Sequence, residues 1–391
     1  MISGLAASSL IAASNAAAQQ PQSLGRIQAE HAEPFTQVTA IRELADGRVI
    51  VSDRLEKTVQ LINLTTGSAL KVGREGSGPG EYALPTSLFT MPNDQTLLVD
   101  LLNRRFLLIG PDGKAGETIS MPQLGGGAGG GGISISIPRA SDGQGRLYFQ
   151  DTGVRPGGES PDSVPLLRWT QGRTGMDTVA WTVGPRATVS RTSGPGGGTG
   201  VRLTMGMPEV FSPQEAWGVA ADGRVARVTP APYQVHWYGP NRRVTSGTPV
   251  PYTPIQVTEA DKAAYREAQA SNPPTMIMST VGPGGRNSTQ TVSPSALPEP
   301  VFAATKPAFN GSTSVLIAPE GEVWVLRNGT AKDPIPVYDV FDGTGKLARK
   351  VRLNAKERVV GFGKTSVYVS RTDEDDLQYL LRYSRPISGQ P

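Results

Sequence analysis

The chain predicts an all-β fold, a six-bladed β-propeller with four antiparallel strands in each blade, and three observations carry that expectation. A unit consisting of a small apolar run, an Asp-Gly type turn, a β-prone run and a closing aspartate recurs along the 391 residues. Its first two copies, residues 40–53 and 87–100, place Asp46 and Asp94 about 48 residues apart, a propeller period and too long for a leucine-rich or ankyrin unit. The 47 glycines and 33 prolines punctuate many turns and leave little room for long helices.

Residues 1–18 read as an export signal, apolar or small to about Ile11, with Ala16 and Ala18 as the small pair of a cleavage site. No Lys or Arg precedes Arg26, so the basic start of such a signal is missing from this stretch. Residues 19–386 then read as one propeller domain. Its last blade shows three apparent strands, at 358–362, 366–370 and 377–383, and a strand near residues 23–28 is expected to complete it. Pairing the two ends in this way removes the open sheet edges that invite aggregation.

The turns that separate the β-prone runs are Asp46-Gly47, Asn93-Asp94, Asp142-Gly143, Asp222-Gly223, Glu320-Gly321 and the weaker 361–365, six in all. Glycine there supplies the positive φ that a tight hairpin needs. Residues 73–82, rich in glycine, form the corner by which the chain swings from the outer strand of one blade to the inner strand of the next. Within the corner only Arg74 and Glu75 offer side chains to test for function.

Three segments depart from the repeat. Residues 125–132 and 193–200 are Gly-rich loops, and neither is followed by the Gly-Lys-Ser/Thr and helix of a phosphate cradle. Residues 258–270 are expected to form a short helix inserted in blade four, opened by Thr258 and Asp261 in the manner of a capping box and closed before Pro273-Pro274. It covers one face of the ring, and in the sharper reading it is a lid over a ligand. Residues 387–391 are a disordered tail.

The Gly-rich corner, the Asp-Gly turns, the inserted helix and the closing runs 337–342 and 368–369 resemble secreted bacterial six-bladed β-propellers related to NHL-repeat proteins. The segment Asp100-Leu101-Leu102-Asn103-Arg104-Arg105 matches the Asp-x-x-Asn-x-Arg turn that follows the second strand of NHL-like blades, whereas Asp53-Arg54-Leu55-Glu56-Lys57 departs from it. The resemblance covers most of residues 23–386 and implies a fold; propellers of this kind host lyases, lactonases, receptors and scaffolds.

Composition removes several chemistries. With no cysteine there is no disulfide, thiolate metal site or cysteine nucleophile. Two histidines, His31 and His236, are too few for a multi-histidine zinc site, and His236 between Val235 and Trp237 reads as a packed structural residue. No Gly-x-Ser-x-Gly elbow occurs. The run Asp373-Glu374-Asp375-Asp376 lacks the pattern of a calcium loop and reads as a solvated hairpin tip. A net charge of +4 is too small and scattered for a nucleic-acid footprint, and no apolar run near 18 residues follows the leader.

The expectation is therefore a secreted or periplasmic, non-enzymatic binding or scaffold propeller. It acts as a monomer and recognises a protein or a small anionic or carbohydrate-like ligand on the loop-rich face around the central channel. Arginines recur beside the turns, at Arg54, Arg74, Arg104, Arg105, Arg155, Arg327 and Arg371, and a shared face would give that opening positive potential. The candidate ligand-binding residues are Asp53, Arg54, Arg74, Asp100, Asn103, Arg104, Arg327, Asn328 and Arg371. The alternative is a metal-dependent, lactonase-like hydrolase or lyase, with one divalent cation, Ca or Zn, on oxygen ligands drawn from Asp53, Asp100, Asp151 and Asp373. No other cofactor is expected.

Overall fold

The computed structural model describes residues 20–122, 137–151, 161–184, 187–193, 199–205, 209–271, 276–281, 287–292 and 299–385. The expected signal, the Gly-rich loop 125–132, the tail and residues 194–198 lie outside them.

Six four-stranded antiparallel sheets follow one another along the chain as the blades of a propeller. Blade one is built from Val38–Glu43, Val49–Asp53, Thr58–Asn63 and Ser68–Lys71. Blade two comprises Pro85–Thr90, Thr96–Asp100, Arg105–Ile109 and Ala115–Ser120, and blade three Ala140–Ser141, Leu147–Gln150, Ser163–Trp169 and Met176–Val183. Blade four holds Ala216–Val219, Val225–Pro230, Tyr233–Tyr238 and Val244–Ser246, and blade five Val315–Ile317, Val323–Leu326, Val337–Phe341 and Leu347–Arg352. Blade six takes Glu357–Phe362, Ser366–Thr372 and Gln378–Ser384 from the end of the chain and Ile27–Glu30 from its beginning. First strands of blades one to five touch in succession, and that of blade six touches that of blade one, which places them around the axis.

The second strands explain why the ring must close. Val49–Asp53 and Thr96–Asp100 are buried at every position, the pattern of a sheet covered on both faces. One face of each blade packs on the blade before it and the other on the blade after, so the apolar core is divided into six interfaces. Leu44, Ile50 and Leu61 meet Leu98, Leu107 and Ile109 between blades one and two. Val49, Val51 and Ile62 meet Tyr368 and Leu380 between blades one and six.

Buried tyrosine hydroxyls stitch these interfaces. Tyr338 accepts from the Val359 N–H at 3.0 Å between blades five and six, and Tyr368 donates to Glu43 at 2.6 Å between blades six and one. Tyr233 donates to Asp339 at 3.0 Å between blades four and five.

Closure follows the expected plan with a different register. The strand that completes blade six is Ile27–Glu30, antiparallel to Gln378–Ser384 with Ala29 opposite Arg382 and Glu30 opposite Leu381. Ser23, expected within that strand, instead belongs to Gln22–Ser23, which runs parallel to the outer strand of blade five. Two constraints separate the pieces: Gly25 turns the chain at φ +87°, and Leu24 is buried in the core between blades five and six.

Because strands alternate in direction, the turns joining first to second and third to fourth strands emerge on one face, here the turn face. The turns joining second to third strands and the connections between blades emerge on the other, the loop face. Turn-face hairpins are tight and repetitive: the side chains of Asp46, Asp112, Asp222, Asn241 and Asp342 each accept the backbone N–H two residues on. In blade three the residue at positive φ is Gly145, at +72°, rather than Gly143. Gly143 serves close approach, since its N–H donates to the Ala221 carbonyl of blade four and a Cβ there would lie 2.9 Å from that oxygen.

The loop face carries the insertions. The second Gly-rich segment joins a hairpin, Ala187–Ser193 with Thr199–Met205, on the way from blade three to blade four. The expected helix spans Glu259–Ser271, in the long connection from the outer strand of blade four to blade five.

Removal of residues 20–30 strips a strand from blade six and uncovers the site of Leu24. The expected result is a loss of about 3 kcal/mol or more, read as a lower urea midpoint of one cooperative transition. Unchanged stability would show that the ring does not depend on this pairing.

Candidate functional site

Every sequence-predicted site residue among the described residues lies at the loop-face end of its blade, because each belongs to the end of a second strand, to the turn that follows it or to a connection between blades. Most of them are engaged in holding those turns. The Asp53 carboxylate, buried, accepts the N–H groups of Gln37, Leu55 and Glu56 at 2.9–3.0 Å. Asp100, also buried, accepts those of Ala83 and Leu84 at 3.0 and 3.1 Å and the Asn103 amide at 2.6 Å. In each case the aspartate ending the second strand ties down the start of its own blade.

The Asp-x-x-Asn-x-Arg turn and the Gly-rich corner come together as one knot. Asn103 donates to the Gly76 carbonyl at 2.9 Å and accepts from Ser77 at 3.0 Å, while Arg105 donates to the carbonyls of Ser77, Gly78 and Glu81. Arg74 pairs with Glu81 at 2.7 Å, and Glu75 with Lys57 at 2.5 Å. Gly73 sits at φ +62° where a Cβ would fall 2.6 Å from the Gly80 carbonyl, so the corner closes on itself tightly. Arg104, at φ 51°, is exposed; its N–H donates to the Leu101 carbonyl at 3.3 Å, and its guanidinium has no hydrogen bond or ion pair among the described residues.

The remaining predicted residues are dispersed. Arg54 donates to Gln37 at 3.0 Å, and Arg371 pairs with Glu30 of the closing strand at 2.6 Å. The Asp373 carboxylate accepts the N–H groups of Asp375 and Leu377 at 2.9 Å, which confirms a hairpin tip. The Asp151 backbone N–H donates to the Pro165 carbonyl at 3.1 Å; Arg155 lies outside the described residues. Asn328 donates to the Pro307 carbonyl at 2.9 Å. Among the described residues no three His, Asp or Glu side chains gather around a common point. His236 bonds Ser246 at 2.8 Å on its strand, and burial lowers its pKa, with Arg227 adding to the effect.

Arg327 belongs to something the repeat pattern does not contain. A groove of 390 Å³ opens on the loop face between the helix, the 326–336 loop of blade five and the first strand of blade six. Phe211, Tyr265, Leu326, Pro334, Ile335 and Pro336 supply its apolar walls, and Lys306, Arg327 and Arg358 its cations.

The helix is fastened there by its first turn. Thr258 and Asp261 form a reciprocal capping box, the Thr258 N–H donating to Asp261 at 2.9 Å and the Asp261 N–H to the Thr258 hydroxyl at 3.3 Å. The other oxygen of Asp261 accepts the Ala331 N–H and the Lys306 ammonium, each at 2.8 Å. Lys306 also donates to the Gly329 carbonyl at 2.7 Å and lies 4.8 Å from the Phe211 ring centre. Both members of the ion pair are almost completely buried. Further along, Tyr265 packs edge-on against Phe302 with ring centres 5.5 Å apart and against Phe211 at 6.1 Å.

Burial pushes the Asp261 carboxyl up, but the Lys306 ammonium and the donors of Thr258 and Ala331 outweigh it and hold the group well below the usual carboxylate range. Behind the groove, Arg327 lies 3.6 Å from Asp339 and 5.5 Å from the centre of the Tyr252 ring. Asp339 is inaccessible, its pKa raised by burial against the pull of Arg327 and of the Tyr233 hydroxyl.

Sequence reasoning missed Lys306, Tyr252 and Asp339. Lys306 and Asp261 are 45 positions apart, with no shared motif. Asp339 left a signal, a carboxylate inside the apolar strand Val337-Tyr338-Asp339-Val340-Phe341.

No family model matches the chain, and no curated protein matches it in sequence. Solved structures with which it aligns include streptogramin B lyase, at 11% identity over 91% of this chain and 97% of that one, with a TM-score of 0.38. A putative exported protein from Bacteroides fragilis NCTC 9343 aligns at 11% identity over 92% and 94%, with a TM-score of 0.46. Regucalcin, a calcium-binding protein from Agrobacterium tumefaciens str. C58, aligns at 12% identity over 92% and 96%, with a TM-score of 0.40. Similarities at this level carry no inference about chemistry.

Asp261→Asn leaves Lys306 buried without its counter-charge and is expected to cost about 3–5 kcal/mol. Adding Lys306→Met recovers part of that loss, so the double variant is less destabilised than the sum of the singles in urea titrations. A carboxyl with a lowered folded-state pKa contributes stability that is complete above about pH 4 and is lost as pH falls through the folded value. The wild type therefore loses stability in acid more steeply than the double variant; parallel curves would remove Asp261 as the cause.

Proposed function

We propose that the protein is a secreted or periplasmic binding propeller, related to the NHL-like group, and that its ligand site is the loop-face groove under the Glu259–Ser271 helix. The observation that carries this reading is the groove itself. A concavity with apolar walls and charged groups among them is a common form of small-molecule site, and it sits where the long insertions of the chain are gathered. The helix, whose expected role was to cover one face of the ring, supplies one wall through Ala264 and Tyr265. The leader-like residues 1–18 support export.

The metal-dependent hydrolase is the weaker reading. Asp53, Asp100 and Asp373 each direct carboxylate oxygens at backbone N–H groups of their own turns, which is what short acidic side chains do in loops irrespective of metals.

Substituting Ala264 by Trp fills the groove from an exposed position of the helix. A thermal-shift panel of small carboxylates, sulfates, phosphates and sugars should yield ligands that stabilise the wild type, by about 2.7 kcal/mol at 100 times the dissociation constant. Those shifts disappear in Ala264→Trp while the unliganded protein melts as before. Shifts that survive the substitution, or stabilisation by Ca²⁺ or Zn²⁺ alone, would move the site elsewhere.

A further inference from the structure

We propose that the groove reads a monocarboxylate with an apolar body, and that Arg327 is the residue that reads it. The inference rests on the groove as the ligand site and adds the chemical class of the ligand.

The three cations of the groove differ in what their donors already do. Lys306 is held by Asp261 and by the Gly329 carbonyl. Arg358 donates to the Thr313 carbonyl at 2.6 Å and stands at the exposed end. The Arg327 guanidinium makes no hydrogen bond among the described residues; its contact with Asp339, at 3.6 Å, is an ion pair too long for one. Its side chain is 25% exposed, enough for a ligand to reach it and little enough that water does not fully screen it.

The surroundings of Arg327 set its direction without occupying its donors. The Tyr252 ring lies 5.5 Å from the guanidinium carbon, within cation–π range. Tyr252 is itself tied to the carbonyls of Lys306 and Pro307 at 3.1 and 2.9 Å. Asp339 supplies a counter-charge from within the blade interface and is fixed by Tyr233 at 3.0 Å. Its second oxygen has no partner among the described residues. Arg327 thus presents a planar fork of N–H donors, the geometry that matches the two oxygens of a carboxylate.

Local pairing, and not net potential, sets the valence of the anion. Lys306, Arg327 and Arg358 face Asp261, Asp333 and Glu357 around the same groove, with Asp339 behind, so the surrounding field carries no surplus positive charge and an anion is held there only by the unoccupied donors of Arg327. The surrounding carboxylates repel a dianionic phosphate more strongly than a monocarboxylate. The walls of Phe211, Tyr265, Leu326, Pro334, Ile335 and Pro336 then accept an aromatic ring or a medium aliphatic chain, and a volume of 390 Å³ lies toward the small end of small-molecule pockets.

The test is calorimetric titration of the full chain with 3-phenylpropionate and octanoate, against 3-phenylpropanamide and phenyl phosphate as matched controls. The expected result is binding of both acids, with the amide and the phosphate at least roughly tenfold weaker, the scale of one charge-assisted bidentate contact. Arg327→Met weakens the acids by a similar factor and leaves the amide unchanged. Arg327→Lys, which keeps the charge and the fold but loses the fork, recovers only part of the affinity. Equal affinity for acid and amide, stronger binding of phenyl phosphate, or no binding of either acid at millimolar concentration overturns the proposal. Ala264→Trp separates the two levels. Acid binding abolished by Ala264→Trp but indifferent to Arg327→Met refutes the role of Arg327 and keeps the groove, whereas binding indifferent to both refutes the groove as well.

Discussion

The pairing of Ile27–Glu30 with Gln378–Ser384 is the contact on which the architecture depends, because it converts a row of sheets into a ring. Each blade is too thin to hold a core of its own. Its apolar residues are shared between two neighbours, and the six clusters of buried side chains coincide with the six blade interfaces. Without the closing strand the last blade would end at Gln378–Ser384, with the edge of that strand open. The chain reinforces the junction between blades six and one with hydrogen bonds from Tyr368 and the Lys364 N–H to Glu43, and the ion pair between Arg371 and Glu30 holds the closing strand within blade six.

Closure also makes the two faces unequal. On the turn face adjacent blades lock together through short connections. Arg42 reaches Asp94 of blade two, the Gly143 N–H reaches Ala221, the Ala221 N–H reaches Pro319, and Arg224 reaches the Gly343 carbonyl. Insertion there would break contacts on both sides of a blade. Connections on the loop face join blades from outside the sheets and tolerate length, so the hairpin 187–205 and the helix are accommodated there. A groove bounded by segments as distant as Phe211, Asp261, Lys306 and Arg358 requires that all of them leave the ring on one side.

How legible this was in the sequence follows from the range of the interactions. Asp-Gly turns, alternation and blade period are local, so the six blades, the closing strand and the capped helix were readable from residue types and spacing. Register at the N-terminus was less so, because the division between Gln22–Ser23 and Ile27–Glu30 is set by burial of Leu24 against residues more than 300 positions away. The candidate residues taken from turns share the loop face, yet residue type alone does not separate a carboxylate that caps a backbone from one that faces solvent. Asp53 and Asp100 prove to be caps. Arg327 was among the candidates, but its neighbours Asp339 and Tyr252 come from a different strand and a different insertion, and no spacing joins them.

The arginines of the loop face show why location alone does not define a site. Arg105 is consumed by three carbonyls of the corner, Arg74 by Glu81 and Arg371 by Glu30. These cations close loops, and the potential they contribute outward is compensated by their partners. Arg104 has no such partner but projects from an exposed turn, where water screens it. Arg327 differs from both sets. It is half-buried, it has a counter-ion too distant to share its hydrogens, and it lines a concavity with apolar walls. A half-exposed donor is hydrated when nothing else accepts its hydrogen bond, and an anion that brings its own apolar surface into the groove replaces that water with a charge-assisted contact. The same ring closure that ties the ends of the chain together holds blades four and five against each other, and with them the Tyr233 hydroxyl, Asp339 and the guanidinium in line.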